Sequence, residues 1–132
     1  MKSINPDPKR LPEIFSNIPK DKSVIVINLL KFRDKAKYPD DRNSCSGREA
    51  YGKYSEAASK VLKKIGAQVF WRGKVHGCLI APEGEDWDEA LLVKYPSIKV
   101  FMGMLEIPEY RECTIHRTAA LEDSRLIATI EK

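Results

Sequence analysis

The hydrophobic pattern marks a strand most clearly over Ser23 to Phe32. Val24, Val26, Leu30 and Phe32 fall on one side with Asn28, and Ile25, Ile27 and Leu29 fall on the other with Lys31. A period of two is the signature of a β-strand, and here both faces are apolar. Helices usually cover one face of a small antiparallel sheet, so the second face of this strand calls for a further partner. From Gly47 to Ile65 the period changes. Tyr51, Tyr54, Ala58, Val61, Leu62 and Ile65 recur at steps of three and four, and Gly66 stands at the stop position, which predicts an amphipathic helix.

The same reading extends along the chain. Met1 to Lys22 holds Pro6, Pro8, Pro12 and Pro19 and predicts an arm with one short helix around Leu11 to Ile18, leading into a domain over residues 23–132. Asp34 to Ser46, with Pro39, Asp40, Asp41 and Asn43, predicts a loop long enough to close over a neighbouring site. Ala67 to Val75 sets Val69, Trp71 and Val75 against Gln68, Arg72 and Lys74, and an extended pattern resumes at Cys78 to Ala81. Two strands, or one bent at the glycines, fit this stretch. Trp87 to Tyr95 predicts a strand, Pro96-Ser97 the start of a helix carrying Ile98, Phe101, Met102 and Leu105, Pro108 a second helix to about Leu121, and Ser124 to Ile130 a last strand. The order is strand, helix, strand, strand, helix, strand. It predicts an α+β chain of ferredoxin-like βαββαβ type, with an antiparallel sheet and helices on one face.

Composition narrows the function classes. With 132 residues, 42% hydrophobic and 32% charged, the chain has the length and balance of one globular domain. The longest apolar run is far short of the ~20 residues of a membrane span, and the N-terminus lacks the apolar core of a signal peptide. The expectation is a cytoplasmic protein with no membrane partner. The net charge of +4 is spread among acidic residues rather than gathered into a stripe, so no nucleic-acid partner is expected. Cys45, Cys78 and Cys113 are odd in number and widely spaced, which points to reduced thiols rather than a disulfide framework or zinc site.

No phosphate-binding, dinucleotide-binding or zinc-protease motif is present, and two histidines, His76 and His116, do not make a metal site without several carboxylate partners. No metal and no cofactor are expected. Individual residues carry more. His116 lies one helical turn after Glu112, placed to act as an oriented base or simply to form a surface ion pair. Arg117 shares a helix stripe with Tyr110, Cys113 and Leu121, where a guanidinium needs a carboxylate such as Asp123 or a ligand anion. Asn28, mid-strand on an apolar face, must bond to protein, water or ligand. Tyr51, Tyr54, Phe70, Trp71 and Trp87 suit packing, and the tyrosines and tryptophans can also orient a ligand.

Several segments together carry a family resemblance: Asn28-Leu29-Leu30-Lys31-Phe32, Gly47-Arg48-Glu49-Ala50-Tyr51 with Tyr54, Trp87-Asp88 leading to Tyr95-Pro96-Ser97, and above all His116 to Thr129. They resemble a bacterial domain-of-unknown-function family of the dimeric α+β barrel superfamily. The resemblance spans roughly Asn28 to Thr129. It implies a homodimer in which the sheets of two subunits face each other to form a barrel, which would cover the second apolar face of the first strand. The superfamily includes cofactor-independent antibiotic-biosynthesis monooxygenases, muconolactone isomerases and haem enzymes such as chlorite dismutases, so the fold alone does not choose among functions. No histidine aligns with a proximal haem ligand. The expectation is a small-molecule site walled by Tyr54 and Trp71, with Asn28 and Arg117 as polar anchors and an aromatic or acidic metabolite as ligand. If it is catalytic, His116 is the proton acceptor of a cofactor-independent oxygenase or isomerase. A non-catalytic metabolite-binding module or a purely structural dimer are the alternatives.

Overall fold

The computed structural model describes residues 2–40 and 44–132. Eight elements follow in order: α1 (Arg10–Asn17), β1 (Val24–Phe32), α2 (Gly47–Ile65), β2 (Gln68–Lys74), β3 (Glu89–Tyr95), α3 (Ile98–Met104), α4 (Pro108–Ala120) and β4 (Leu121–Thr129). The strands form one antiparallel sheet in the order β2-β3-β1-β4, which is the ferredoxin-like arrangement. The doubly apolar β1 lies in the interior of the sheet, between β3 and β4.

The core forms where the sheet meets α2, α3 and α4. Val24, Val26 and Leu30 of β1, with Leu91, Val93 and Tyr95 of β3, pack against Ala50, Tyr51 and Val61 of α2, Ile98, Phe101 and Met104 of α3, and Ala119 and Ala120 of α4. α2 starts with a reciprocal cap, in which the Glu49 amide donates to Ser46 Oγ and the Ser46 amide to Glu49 Oε1, both at 3.0 Å. It stops at Gly66 with φ of 78°, a conformation glycine adopts without strain. Gly47 sits where three backbones converge: a Cβ there would stand 2.2 Å from the Arg33 carbonyl oxygen and 2.7 Å from that of Ala120.

The opposite face of the sheet carries Ile25, Ile27 and Leu29 of β1, Leu92 of β3, Trp71 of β2 and Ile127 of β4, as the strand register requires. Among the described residues no helix covers this face, and Trp71 and Ile127 are 51% and 47% exposed. The Trp71 indole lies across Gly73, where a Cβ would meet Cη2 at 2.3 Å.

Three sequence expectations change. The extended run at Cys78 to Ala81 is not a strand; β2 ends at Lys74 and the chain loops out to β3, leaving Leu79 and Ile80 fully exposed. The extended run there finds no strand to pair with. Val69 and Trp71 do not share a face, because the register shifts between them, so that Val69 pairs with Val93 and Trp71 with Leu92. An extra residue at Phe70 turns the strand over. β4 begins at Leu121, directly from α4 with no intervening turn. The loop after β1 is pinned rather than free at its ends. The Ala36 amide bonds to the Cys45 carbonyl and the Lys37 amide to that of Ala119, both at 2.9 Å. Asp41 and Asn43, which the sequence places in that loop, lie outside the described residues.

Candidate functional site

A cavity of about 590 Å³ lies between the helix-facing side of the sheet and α2, α3 and α4, with the N-terminal arm along its margin. Its position follows from the fold. Asn28 pairs across the sheet with Leu91 on one side and Leu126 on the other, so these three side chains form a row on the cavity floor. Val93 and Tyr95 continue the floor, and Ala58 and Leu62 of α2, Phe101 and Met104 of α3 and Tyr110 of α4 supply walls. Leu11 and Ile14 of α1 and residues 3–7 of the arm close the margin.

Polar groups converge on this mostly apolar space. Asn28 is 8% exposed, and its amide nitrogen reaches the Val26 carbonyl at 3.5 Å, the long limit of a hydrogen bond. Its amide is thus poorly satisfied by the protein. Tyr54 and Tyr110 join their hydroxyls at 2.9 Å, and the Tyr51, Tyr54 and Tyr110 rings form a chain with centroids 5.3 and 6.1 Å apart. Burial raises the Tyr51 phenol to about 12 and pushes Tyr54, Tyr95 and Tyr110 up as well, while the Arg117 charge opposes the rise at all four. These hydroxyls are therefore neutral donors and acceptors at physiological pH, not bases.

Arg117 is 9% exposed. Its Nη1 donates to the Ile4 carbonyl at 2.6 Å, a partner 113 residues earlier in the chain. The Asp123 partner suggested by sequence is taken elsewhere: its carboxylate accepts from the Ser3 amide at 2.8 Å and from Arg125 at 2.7 Å.

The structure brings Asn28, Tyr54 and Arg117 together on the cavity and sets Trp71 and His116 apart from it. Trp71 points to the opposite face of the sheet because of the turn-over at Phe70. His116 faces the loop after β1, where Nδ1 lies 2.6 Å from the hydroxyl of Tyr38; Tyr38, rather than Glu112, orients its ring. Burial, with a smaller contribution from the Lys53 charge, lowers the His116 pKa below the usual imidazole value. Sequence reasoning left Tyr95, Tyr110, Ser124 and Ile4 out of the site. The apolar stripe that Tyr110 shares with Arg117 on α4 was available as a signal for Tyr110, but nothing local marks Ile4.

Among the described residues no group of three or more His, Cys, Asp or Glu side chains is placed to hold a metal ion, and no helix is long and apolar enough to cross a membrane.

The sheet order and the cavity between sheet and helices define a ferredoxin-like α+β protein. The chain belongs to the family described as Domain of unknown function (DUF1330), whose model matches residues 42–130. It is similar over its whole length to the RPA0582 protein of unknown function from Rhodopseudomonas palustris, at 34% identity, covering 100% of this chain and 98% of that one, with a TM-score of 0.92. More distant structures share the fold. A dimeric ferredoxin-like protein of unknown function from Bacteroides fragilis is 18% identical, with 86% and 100% of the two chains covered and a TM-score of 0.55. The hydroxynitrile lyase from Passiflora edulis is 12% identical, with 85% and 95% covered and a TM-score of 0.60. No curated protein sequence matches the chain.

Proposed function

We propose that this protein binds a small organic metabolite with an aromatic or other apolar body in the cavity between its sheet and helices, one site in each subunit of a homodimer. The observation that carries the reading is the convergence of Asn28, Tyr54 with Tyr110, and Arg117 on one apolar space of about 590 Å³, a size and lining typical of sites for small ligands. The poorly satisfied Asn28 amide argues against a purely structural role, since a core built only for packing leaves no such group beside an open volume.

The homodimer is supported by the apolar sheet face. Ile25, Ile27, Leu29, Leu92, Trp71 and Ile127 together make an apolar surface of a kind that marks an interface, and a second sheet laid on it would form the barrel. The ferredoxin-like protein of B. fragilis is described as dimeric.

A catalytic role, as an oxygenase or isomerase without cofactor, is the second reading, and the hydroxynitrile lyase of P. edulis is an enzyme on the same fold. Binding is favoured because the candidate base His116 turns away from the cavity towards Tyr38. The test is calorimetric titration with small aromatic and aliphatic metabolites, comparing the native chain with Leu126→Trp, which fills the cavity margin beside Asn28. Binding by the native chain that the tryptophan abolishes supports the site; equal binding by both places the ligand elsewhere.

A further inference from the structure

Four arginines line the cavity, Arg10, Arg72, Arg117 and Arg125, against a single carboxylate, Asp7. Two of them are neutralised from behind: Arg72 by Glu89 at 2.7 Å and Arg125 by Asp123 at 2.7 Å. Arg10 is exposed and stands 4.0 Å from Asp7. Arg117 differs from all three. It is nine-tenths buried, and among the described residues no carboxylate lies within ion-pair distance of it. Its hydrogen bond goes to a neutral acceptor, the Ile4 carbonyl. A buried cation compensated only by a peptide carbonyl is under-satisfied, because a charge taken out of water needs an opposite charge or several strong acceptors.

That carbonyl is delivered by a strap, residues 3–5. The Ser3 amide donates to Asp123 Oδ1 at 2.8 Å, Ser124 Oγ donates to the Ser3 carbonyl at 2.8 Å, and Thr118 Oγ1 donates to Asn5 Oδ1 at 3.3 Å. Lys2 adds an exposed ion pair to Glu122 at 3.3 Å. Most of these bonds lie at or near the surface, where water replaces each at a net cost of about 1 kcal/mol or less. A carboxylate arriving at Arg117 brings a charge-assisted and potentially bidentate contact, roughly twice as strong as a neutral bond.

We infer that the ligand of this cavity is an organic carboxylate whose carboxylate group replaces the Ile4 carbonyl on Arg117, so that its binding releases the strap of residues 3–5. This rests on the small-molecule reading of the cavity and adds the ligand's charge and the part of the chain that moves. The apolar body lies along Leu91, Val93 and Phe101, and Asn28 and the Tyr54–Tyr110 pair remain for its polar substituents.

The test uses 3-phenylpropanoate and its neutral twin 3-phenylpropanamide on the full chain, with calorimetry for affinity and ¹⁵N amide exchange at Ser3 for the strap. The carboxylate is expected to bind about tenfold or more tighter than the amide, a difference of about 1.4 kcal/mol. Arg117→Gln should erase that preference, and Arg117→Lys should retain part of it. At saturation the carboxylate should speed Ser3 exchange about tenfold or more, while the amide leaves it unchanged. Ser124→Ala, which loosens the strap without touching Arg117, should tighten carboxylate binding. Equal affinity for the two probes overturns the carboxylate assignment, and unchanged Ser3 exchange under saturating carboxylate overturns the exchange of partners. In either case binding that Leu126→Trp abolishes leaves the small-molecule reading standing. If neither probe binds at millimolar concentration, both readings fall.

Discussion

Tyr54 in the middle of α2 and Tyr110 in the first turn of α4 share a hydrogen bond of 2.9 Å between their hydroxyls. The two phenols close one wall of the cavity and tie the two long helices together above the sheet. Each is the other's partner in an otherwise apolar setting, so removing one hydroxyl strands the second. Tyr110→Phe is expected to destabilise the fold by ~1 kcal/mol, with an upper range near ~2 if no water reaches Tyr54. Urea unfolding should show the midpoint fall with an unchanged slope. No change in midpoint would mean that water already satisfies both hydroxyls.

The chain has five tyrosines, and burial raises every one of them: Tyr38, Tyr51, Tyr54, Tyr95 and Tyr110. A raised acid favours the fold's protonated form. Stability from this source is therefore full below the unfolded value near 10 and is lost as pH climbs towards the folded values, about 12 for Tyr51. Absorbance at 295 nm should show little phenolate in the native protein at pH 10, where the urea-unfolded chain is about half ionised. A native titration midpoint at 10 would mean that these rings are open to water.

Gly47 is irreplaceable for a geometric reason. An added methyl would stand 2.2 Å from the Arg33 carbonyl oxygen, a backbone atom that is itself held, since the Gly47 amide bonds to the Arg33 carbonyl at 3.1 Å and the Arg33 amide to the Ala120 carbonyl at 2.8 Å. Neither neighbour can yield without breaking the junction of β1, α2 and α4. Gly47→Ala should cost roughly 2–4 kcal/mol, whereas Gly52→Ala, with nothing within 4 Å of its Cβ position, should be neutral or slightly stabilising through helix propensity. Equal effects of the two would refute the steric argument.

The proposed homodimer makes a separate claim on the outer sheet face. Sedimentation of the native chain at micromolar concentration should give twice the 15.0 kDa chain mass. Ile27→Lys at the centre of that face, or Trp71→Glu on β2, should give the single-chain mass, because each would bury an unpaired charge between the sheets. Variants that remain dimeric would place the interface elsewhere.

Much of this architecture could be read from local pattern. The doubly apolar β1, the three- and four-residue steps of α2 and the stop at Gly66 are local signals, and together they specify the ferredoxin-like order. The site was partly legible for the same reason: Asn28 breaks an apolar face, and Arg117 sits on an apolar helix stripe, so each stood out as a polar group in need of a partner. What each meets was not legible. Ile4 reaches Arg117 across 113 residues, and Tyr38 reaches His116 across 78, distances at which periodicity carries no information. The bulge at Phe70 marks the alternation of Ala67 to Val75 only as one apolar residue in phase with Gln68, Arg72 and Lys74, yet it carries Trp71 from the cavity side to the outer face. Cys78 to Ala81 is an apolar run that forms no strand because pairing, not pattern, makes a sheet.

The most direct measurement is native mass spectrometry of the protein taken gently from its own host, with Leu126→Trp prepared in parallel. The native chain should retain a discrete small mass, one per subunit, that the filled variant lacks while keeping the same subunit number. The same adduct on both proteins, or a native chain that stays bare and gains no mass when host metabolites are added back, would contradict a small-molecule site in this cavity.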